Sequence, residues 1–344
     1  MAPVVLIASY LEAEHVERIR AVSPRLEVIY EPELVAPARY PADHYNVITR
    51  TPEQERRWRE HLRRAEILFD FDSSHNEDLP PLVPKLRWVQ ATSAGIGQSV
   101  RRWGYDRALP HVVFTTSSGV HARPLADFCL MAMLGFAKSL PRMIEQQRRH
   151  EWVRYATADL AGHTLAVVGV GRIGAEVARL GKLMDMKVIG IKRNVAGTDA
   201  AELHLDELFG PSDLPAVLAR AEYLVLITPH TDETDHLIGA AELAMLPRGA
   251  VVINIGRGAL IDEPALIAAL QSGHLGGAAL DVVATEPLPA TSPLWDMPNV
   301  LVSPHSASTS IRENARITEL FCRNLERYLK GEPLENVLNT KTLY

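Results

Sequence analysis

The stretch TLAVVGVGRIG at residues 164–174 decides the fold of this 344-residue chain. Its first five residues predict a buried strand, and glycines follow at the spacing GxGxxG, at Gly169, Gly171 and Gly174. An amphipathic helix is predicted to follow at about 172–184. A strand before the glycines and a helix after them is the context in which this pattern binds a dinucleotide.

Each glycine of this turn has a different structural role. Gly169 permits the tight turn, Gly171 lets the backbone approach a pyrophosphate, and Gly174 lets the helix pack closely against the strand. The N–H groups of Arg172 and Ile173 are expected to face the phosphates at the positive end of the helix. The turn therefore predicts a nicotinamide dinucleotide site.

The residues after the next strand, 188–191, indicate which dinucleotide is preferred. NAD-binding folds present a carboxylate there, but this chain has Lys192 and Arg193, and no acidic residue stands nearby in the sequence. Two cations suit a 2′-phosphate, so we expect NADP(H), with NAD(H) as the alternative. The competing interpretation is that both side chains are ordinary solvated residues.

Short apolar runs alternate with helical segments on both sides of the glycine turn. Before it, runs at 3–8, 65–71, 86–91 and 112–116 predict buried strands. Around and after it, strands are predicted at 164–170, 187–191, 223–228, 250–254, 277–281 and 299–302, with helices between them. Such alternation predicts an α/β protein with doubly wound parallel sheets. We expect the last helix, about 310–330, to return to the first lobe.

A long apolar helix is predicted between the two lobes, from about residue 122 to 149, with Pro141 bending it or ending it early. The sequence FCLMAMLGF at 128–136 is apolar almost all round, so we expect it to be buried between domains or subunits. An exposed patch of that breadth would be unusual on a monomer. We therefore expect a homodimer.

Composition excludes several classes of protein. The net charge is −6 and 47% of residues are hydrophobic, which favours a soluble globular protein without an electrostatic footprint for nucleic acid or an anionic membrane. No apolar stretch approaches the ~20 residues of a membrane span. Cys129 and Cys322 are not spaced as a metal site or disulfide framework, and the histidines show no metal-binding spacing, so we expect no metal and a cytoplasmic location.

Three ionisable residues follow successive strands of the second lobe, namely Arg257, Glu286 and His305. Open α/β sheets bind ligands at the carboxyl ends of their strands. Reduction of a 2-keto acid needs a cation for the carboxylate, an acid for the carbonyl oxygen, and a group that holds that acid protonated. Arginine, histidine and glutamate meet these needs in turn.

With these residues the chain resembles the D-2-hydroxyacid dehydrogenase family. The resemblance extends from about residue 86 to 331 and rests on GVGRIG, INIGRGALIDEPAL, GAALDVVATEPLP and SPLWDMPNVLVSPH, together with the earlier SAGI and SGVHARPLADF segments. It implies a Rossmann-type cofactor domain at residues 119–308, inserted in a flavodoxin-like substrate domain at residues 1–118 and 309–344. Small 2-keto acids such as glyoxylate or hydroxypyruvate are the substrates it suggests.

The resemblance also implies roles for individual residues. Arg257 would hold the substrate carboxylate, His305 would exchange the proton, and Glu286 would hydrogen-bond the imidazole and favour its charged form. Asp281 would contact the nicotinamide carboxamide, and Ile255 would lie in the cofactor site. Backbone N–H groups around Ala94, Gly95 and Ile96 would bind the carboxylate from the first lobe.

Two alternatives stay open from sequence. The family includes enzymes for bulkier 2-keto acids, and the residues that would line the substrate side chain cannot be placed, particularly across the insertion-like segment 37–60. The other alternative is that this chain is a dinucleotide-sensing scaffold like the C-terminal-binding corepressors, which keep the same three ionisable residues. Lys192 argues against this scaffold function, which is associated with an acidic residue at that position.

Overall fold

The computed structural model describes residues 2–44 and 46–343. The chain divides into two compact units, one formed by Met1–His121 with Thr309–Tyr344 and the other by Ala122–Ser308. The sequence interpretation placed the first junction after residue 118. The two compact units divide after His121, and the imidazole Nε2 of His121 lies 3.0 Å from Glu313 Oε1 of the same unit.

The elements of the described residues alternate between strand and helix. The strands are β1 (Val4–Ile7), β2 (Glu27–Ile29), β3 (Ile67–Phe69), β4 (Trp88–Gln90), β5 (Val113–Thr115), β6 (Thr164–Val168), β7 (Lys187–Ile191), β8 (Glu207–Phe209), β9 (Tyr223–Leu226), β10 (Val251–Asn254), β11 (Gly277–Leu280) and β12 (Val300–Val302). The α-helices are α1 (Ala13–Arg20), α2 (Pro52–Arg64), α3 (Leu79–Leu82), α4 (Gly97–Arg102), α5 (Tyr105–Ala108), α6 (Ala122–Ala137), α7 (Leu140–Arg148), α8 (Arg172–Leu183), α9 (Leu214–Leu218), α10 (Ala240–Met245), α11 (Glu263–Gln271) and α12 (Glu313–Lys330).

The first unit is built on a five-stranded parallel sheet in the order β2-β1-β3-β4-β5. Strands β1, β3 and β4 are buried on both faces, which is why they could be read as continuous apolar runs. Strand β2 was not predicted, since it is a short edge strand with only Ile29 fully buried. The second unit carries a seven-stranded parallel sheet in the order β12-β11-β10-β9-β6-β7-β8. Two parallel sheets with crossover helices confirm the predicted fold class.

Helix α12 returns to the first unit, as expected from its position after the last strand. Ile317, Phe321 and Leu325 of α12 share a buried apolar cluster with β1 and α1. The amide Nδ2 of the fully buried Asn324 donates to Gln90 Oε1 at 3.1 Å, which attaches the helix to β4. The helix ends at Gly331, whose φ of 71° suits a glycine cap.

The insertion-like segment before β3 is held by buried polar groups. Helix α2 begins with a capping box between Thr51 and Gln54 and buries Trp58, whose indole N–H donates to Asp72 Oδ2 at 2.8 Å. The same carboxylate oxygen lies 2.6 Å from Nδ1 of His75. Helix α2 is therefore an amphipathic surface helix, with one apolar side chain fixed to the end of β3.

Asp72 and His75 form a buried titratable pair beside α2. Burial would raise the pKa of Asp72, but hydrogen bonds from His75, Ser74 and Trp58 outweigh it and hold the pKa below its ordinary value. The hydrogen bond to Asp72 raises the pKa of His75 against the opposing effect of burial. Glu55 and Arg59 also face this ring, with Nε2 of the histidine 2.9 Å from the carboxylate and 3.1 Å from the guanidinium.

The apolar helix predicted between the lobes is two helices, α6 and α7, with Pro141 in the first turn of α7. The break confirms the predicted effect of the proline. One face of α6 is buried in the second unit, but large apolar side chains of the two helices remain exposed, among them Met131 at 49%, Met143 at 41% and Ile144 at 41%. Within the described residues, no helix is long and apolar enough to cross a membrane.

Candidate active site and cofactor site

The glycine turn connects β6 to α8 as the sequence predicted. Gly169 has φ of 106°, and its N–H donates to the carbonyl of Ile191 at the end of β7. A side chain at Gly169 would collide with the backbone of Thr228, the residue that follows β9 by two positions. The ends of β6, β7 and β9 therefore meet at this turn, with β6 between the other two strands.

Two observations show that the turn can accept a dinucleotide. No described atom lies within 4 Å of the position that a Cβ on Gly171 would occupy, so the backbone at the start of α8 is open to a ligand. The buried hydroxyl Oγ1 of Thr228 finds no hydrogen-bond partner among the described residues, which is costly unless a ligand or water supplies one. Arg172 is exposed and Ile173 half-buried at the helix start. These residues fit the diphosphate of a dinucleotide.

The cations after β7 are both engaged locally. Lys192 Nζ donates to the carbonyl of Val170 at 3.1 Å, so the lysine lies against the glycine turn. Arg193 Nη2 lies 3.2 Å from Glu233 Oε2, an exposed carboxylate in the loop after β9. The sequence interpretation found no acid near the two cations, but folding brings Glu233 to them from a position far along the chain. A surface ion pair of this kind is worth about 0–1 kcal/mol and can be exchanged for a stronger partner.

The three catalytic candidates follow neighbouring strands of the second unit. Arg257 follows β10, Glu286 lies in the loop after β11, and His305 follows β12. His305 Nδ1 and Glu286 Oε2 are 2.8 Å apart, with both side chains partly exposed. The carboxylate therefore holds one ring nitrogen and directs the other, Nε2, away from itself, which is the arrangement of a histidine that donates a proton from Nε2.

The Arg257 loop packs directly against the Glu286 loop. A Cβ on Gly258 would overlap the carbonyl group of Val283, so only glycine allows the two backbones to come this close. Glu263 in the first turn of α11 accepts a hydrogen bond from Ala284 N at 3.0 Å and fixes the second loop further. Arg257 Nη1 donates to the carbonyl of Gly256 at 2.7 Å. The arginine and the glutamate are thus carried by adjoining loops at one edge of the sheet.

Asp281 attaches the His305 loop to the end of β11. Its Oδ1 accepts three hydrogen bonds, from Ser303 Oγ at 2.7 Å, Ser306 N at 2.8 Å and Ala307 N at 2.9 Å. Its backbone carbonyl also accepts from His305 N at 2.9 Å. His305 has φ of 54°, a conformation that a non-glycine residue adopts only when its surroundings hold it there. The sequence interpretation did not foresee this contact, because nothing local marks it.

The remaining predicted residues lie in two places. Ile255 follows β10 and is buried in the apolar core of the second unit, where its N–H donates to the carbonyl of Leu226. Ala94, Gly95 and Ile96 form the loop between β4 and α4 of the first unit, with Gly95 exposed and Ile96 buried. The structure therefore brings Glu286 and His305 into direct contact and places the Ala94–Ile96 loop in the other unit.

Known proteins resemble this chain in sequence and in structure. The model of the NAD-binding domain of D-isomer specific 2-hydroxyacid dehydrogenases matches residues 130–307. Glyoxylate/hydroxypyruvate reductase B of Pectobacterium carotovorum subsp. carotovorum is 36% identical over 295 residues, which is 82% of this chain and 88% of that protein.

Two solved structures share the architecture of the whole chain. One is a D-isomer specific 2-hydroxyacid dehydrogenase from Xanthobacter autotrophicus Py2 in complex with NADPH and MES, with a TM-score of 0.78, 30% identity and 100% of both chains covered. The other is an NADPH-dependent glyoxylate/hydroxypyruvate reductase from Sinorhizobium meliloti in complex with NADP and sulfate, with a TM-score of 0.77 and 26% identity, covering 99% of this chain and 100% of that one.

Proposed function

This chain belongs to the D-isomer specific 2-hydroxyacid dehydrogenase family of oxidoreductases, as its sequence motifs predicted, and on that premise we propose that it reduces a small 2-keto acid with NADPH. Glyoxylate and hydroxypyruvate are the substrates we favour. The observation that carries the proposal is the 2.8 Å contact between Glu286 and His305, next to the Arg257 loop and at the same sheet edge as the glycine turn.

His305 supplies the proton of the reaction. When bound, the nicotinamide supplies the hydride that reduces the keto carbon. The developing oxyanion needs a proton from a nearby acid, and the imidazolium donates one from Nε2 while Nδ1–H remains bonded to Glu286. The carboxylate fixes the orientation of the ring through Nδ1. In the oxidative direction, neutral His305 accepts the same proton.

Arg257 binds and polarises the acid. Its planar guanidinium can hold a carboxylate at two points, and its charge also stabilises the oxyanion that forms on the neighbouring carbonyl. Asp281 would contact the carboxamide of a bound nicotinamide, in addition to its bonds to the His305 loop.

The preference for NADPH rests on Lys192 and Arg193. Each charge-assisted hydrogen bond to a phosphate contributes about 1.5 to 3 kcal/mol, which exceeds the ~0–1 kcal/mol of the Arg193 ion pair with Glu233. A bound 2′-phosphate would therefore replace Glu233 as the partner of Arg193. The test compares kcat/KM for NADPH and NADH in the wild type and in the double variant Lys192→Asp, Arg193→Ala. The variant should collapse or invert the wild-type ratio, whereas equal use of both cofactors by the wild type would contradict the proposal.

The decisive experiment on substrate is a panel of 2-keto acids of increasing size. Glyoxylate, hydroxypyruvate, pyruvate and branched 2-keto acids are each reduced with NADPH and with NADH, and the loss of reduced-cofactor absorbance is followed. We expect the highest kcat/KM with glyoxylate and hydroxypyruvate. Reduction of none of them, with NADPH still bound, would leave the chain without the proposed activity.

We also propose that the protein is a homodimer that pairs through the exposed apolar surface of α6 and α7, defined by Met131, Leu134, Met143 and Ile144. These side chains lie on two consecutive helices, and a second copy would bury both sets at once. Light scattering at micromolar concentration should give twice the 38.0 kDa of one chain. The double variant Met143→Glu, Ile144→Glu should give the mass of one chain, and a monomeric wild type would refute the proposal.

A further inference from the structure

The loop that carries Glu286 has little support of its own. Residues 284–287 are exposed, yet Oε2 of Glu286 lies only 2.8 Å from Nδ1 of His305. The other carboxylate oxygen, Oε1, accepts from Val283 N at 3.3 Å, which is a long hydrogen bond inside the same loop. Exposed backbone with few buried contacts opens easily. The place of Glu286 is therefore defined only if another element of the second unit holds this loop.

Glu263 supplies that support from the first turn of α11. Its Oε2 accepts a hydrogen bond from the N–H of Ala284 at 3.0 Å. Ala284 directly follows Val283, whose own N–H donates to Glu286. Three hydrogen bonds therefore lead in series from Glu263, through the loop and the carboxylate of Glu286, to the imidazole of His305.

The start of α11, from which Glu263 acts, is fixed in the second unit. Leu260 and Ile261, three and two residues before Glu263, are buried in its apolar core. The carboxylate of the preceding residue, Asp262, caps the helix, because its Oδ1 accepts from Ala265 N at 3.1 Å. Glu263 is therefore a firm attachment point for an exposed loop.

We propose that Glu263 is a positioning residue of the reaction, which holds the loop so that Glu286 stays in contact with His305. The inference rests on the proposed function, because it assigns Glu263 a part in the proton transfer of that reaction. Arg257 lies six residues before Glu263 in the same segment. The bond to Ala284 thus also joins the arginine loop to the glutamate loop.

A purely structural role for Glu263 predicts a different outcome from the proposed one. An acid in the first turn stabilises a helix through the helix dipole, without any effect on a neighbouring loop. Asp262→Ala is the matched control, because the carboxylate it removes is the next one along the chain and bonds within α11. Glu263→Gln is the conservative variant, since an amide oxygen can still accept from Ala284 N.

The experiment compares the wild type with Glu263→Ala, Glu263→Gln and Asp262→Ala. It measures kcat with NADPH and the 2-keto acid that the wild type reduces best, the Kd of NADPH, and amide hydrogen exchange of residues 283–286. Glu263→Ala should lower kcat about tenfold and leave the Kd within about twofold, because one bond to a charged acceptor is lost away from the glycine turn. Its loop amides should exchange faster. Glu263→Gln should stay within about threefold of the wild-type kcat, and Asp262→Ala should keep both the kcat and the exchange of the wild type.

The double variant Glu263→Ala, Glu286→Gln tests whether Glu263 acts through Glu286. If it does, kcat should fall no more than about twofold below that of Glu286→Gln alone. Losses that multiply in the double variant overturn the inference, as does a Glu263→Ala enzyme with wild-type kcat or an equal loss in Asp262→Ala. In an active wild type these results refute only the role of Glu263. A wild type that reduces no 2-keto acid refutes the proposed function itself, and unchanged loop exchange in Glu263→Ala, which needs no substrate, would then overturn the inference separately.

Discussion

The attachment of the His305 loop to Asp281 predicts a graded loss of catalysis without loss of the cofactor. Asp281 is 3% exposed, and its Oδ1 accepts three hydrogen bonds from the loop. Hydrogen bonds to a charged acceptor contribute about 1.5 to 3 kcal/mol each. Because Ser306 is exposed and water can replace part of the loss, the lower value applies to each of the three bonds. Asp281→Ala should therefore remove about 4.5 kcal/mol from the interactions that hold the loop.

That energy opposes the strain of the positive φ at His305, which costs about 1 to 3 kcal/mol. Without the carboxylate the histidine should relax to an ordinary backbone conformation and leave its place beside Glu286. Since about 1.4 kcal/mol corresponds to a tenfold change in rate, we expect kcat for keto-acid reduction to fall by about 10²- to 10³-fold. NADPH affinity should fall by no more than about tenfold, because the variant loses one proposed contact with the nicotinamide while the glycine turn is untouched.

Two milder variants serve as controls for this magnitude. Asp281→Asn keeps an oxygen that can accept the same three bonds without the charge, and Ser303→Ala removes only one donor. Each should lower kcat by about five- to thirtyfold, between the wild type and Asp281→Ala. The assays are steady-state absorbance for kcat and fluorescence titration for NADPH. If Asp281→Ala kept a normal kcat and bound NADPH about thirtyfold more weakly, Asp281 would act on the cofactor and not on the loop.

Other predictions concern the proposed proton donor, the arginine that would bind the substrate carboxylate, and the buried pair of Asp72 and His75. His305→Ala should lower kcat by about 10²- to 10⁴-fold with NADPH binding retained, and a near-normal kcat would show that another group supplies the proton. Glu286→Gln should lower kcat by about tenfold or more with NADPH binding retained, because a neutral amide holds Nδ1 of His305 less firmly than a carboxylate does, and an unchanged kcat would contradict this. Arg257→Lys should mainly raise KM, because an ammonium cannot grip a carboxylate at two points, and the reasoning fails if kcat falls while KM stays constant. The pKa of His75 is raised above its unfolded value of 6.5, so its contribution to stability is complete below about pH 6.5 and is lost as pH rises through the folded pKa. Urea unfolding between pH 6 and 9 should therefore show a stability loss in the wild type that His75→Gln lacks, and equal slopes for the two proteins would refute it.

The sequence by itself determined the α/β class and the glycine turn. A buried parallel strand is visible in the sequence as an apolar run, and a helix start that approaches a phosphate needs glycine. Both features lie within a few consecutive residues, so they can be read without the tertiary structure. The break at Pro141 was also local, since a proline has no N–H to continue a helix. Glu286 and His305 were predicted to lie close together because each follows a strand of a parallel sheet, and the carboxyl ends of such strands share one edge.

Only the tertiary structure decided the contacts between positions far apart in the chain. Strand β8 is short and only half-buried, so no apolar run marks it. The exposed side chain of Glu233 contacts Arg193, which lies 40 positions earlier in the chain. The backbone of Leu343 packs against Gly97, which is also distant in sequence. No local sequence pattern identifies the partner of an exposed carboxylate or of a peptide group. Such contacts form only between groups that the folded chain brings close together.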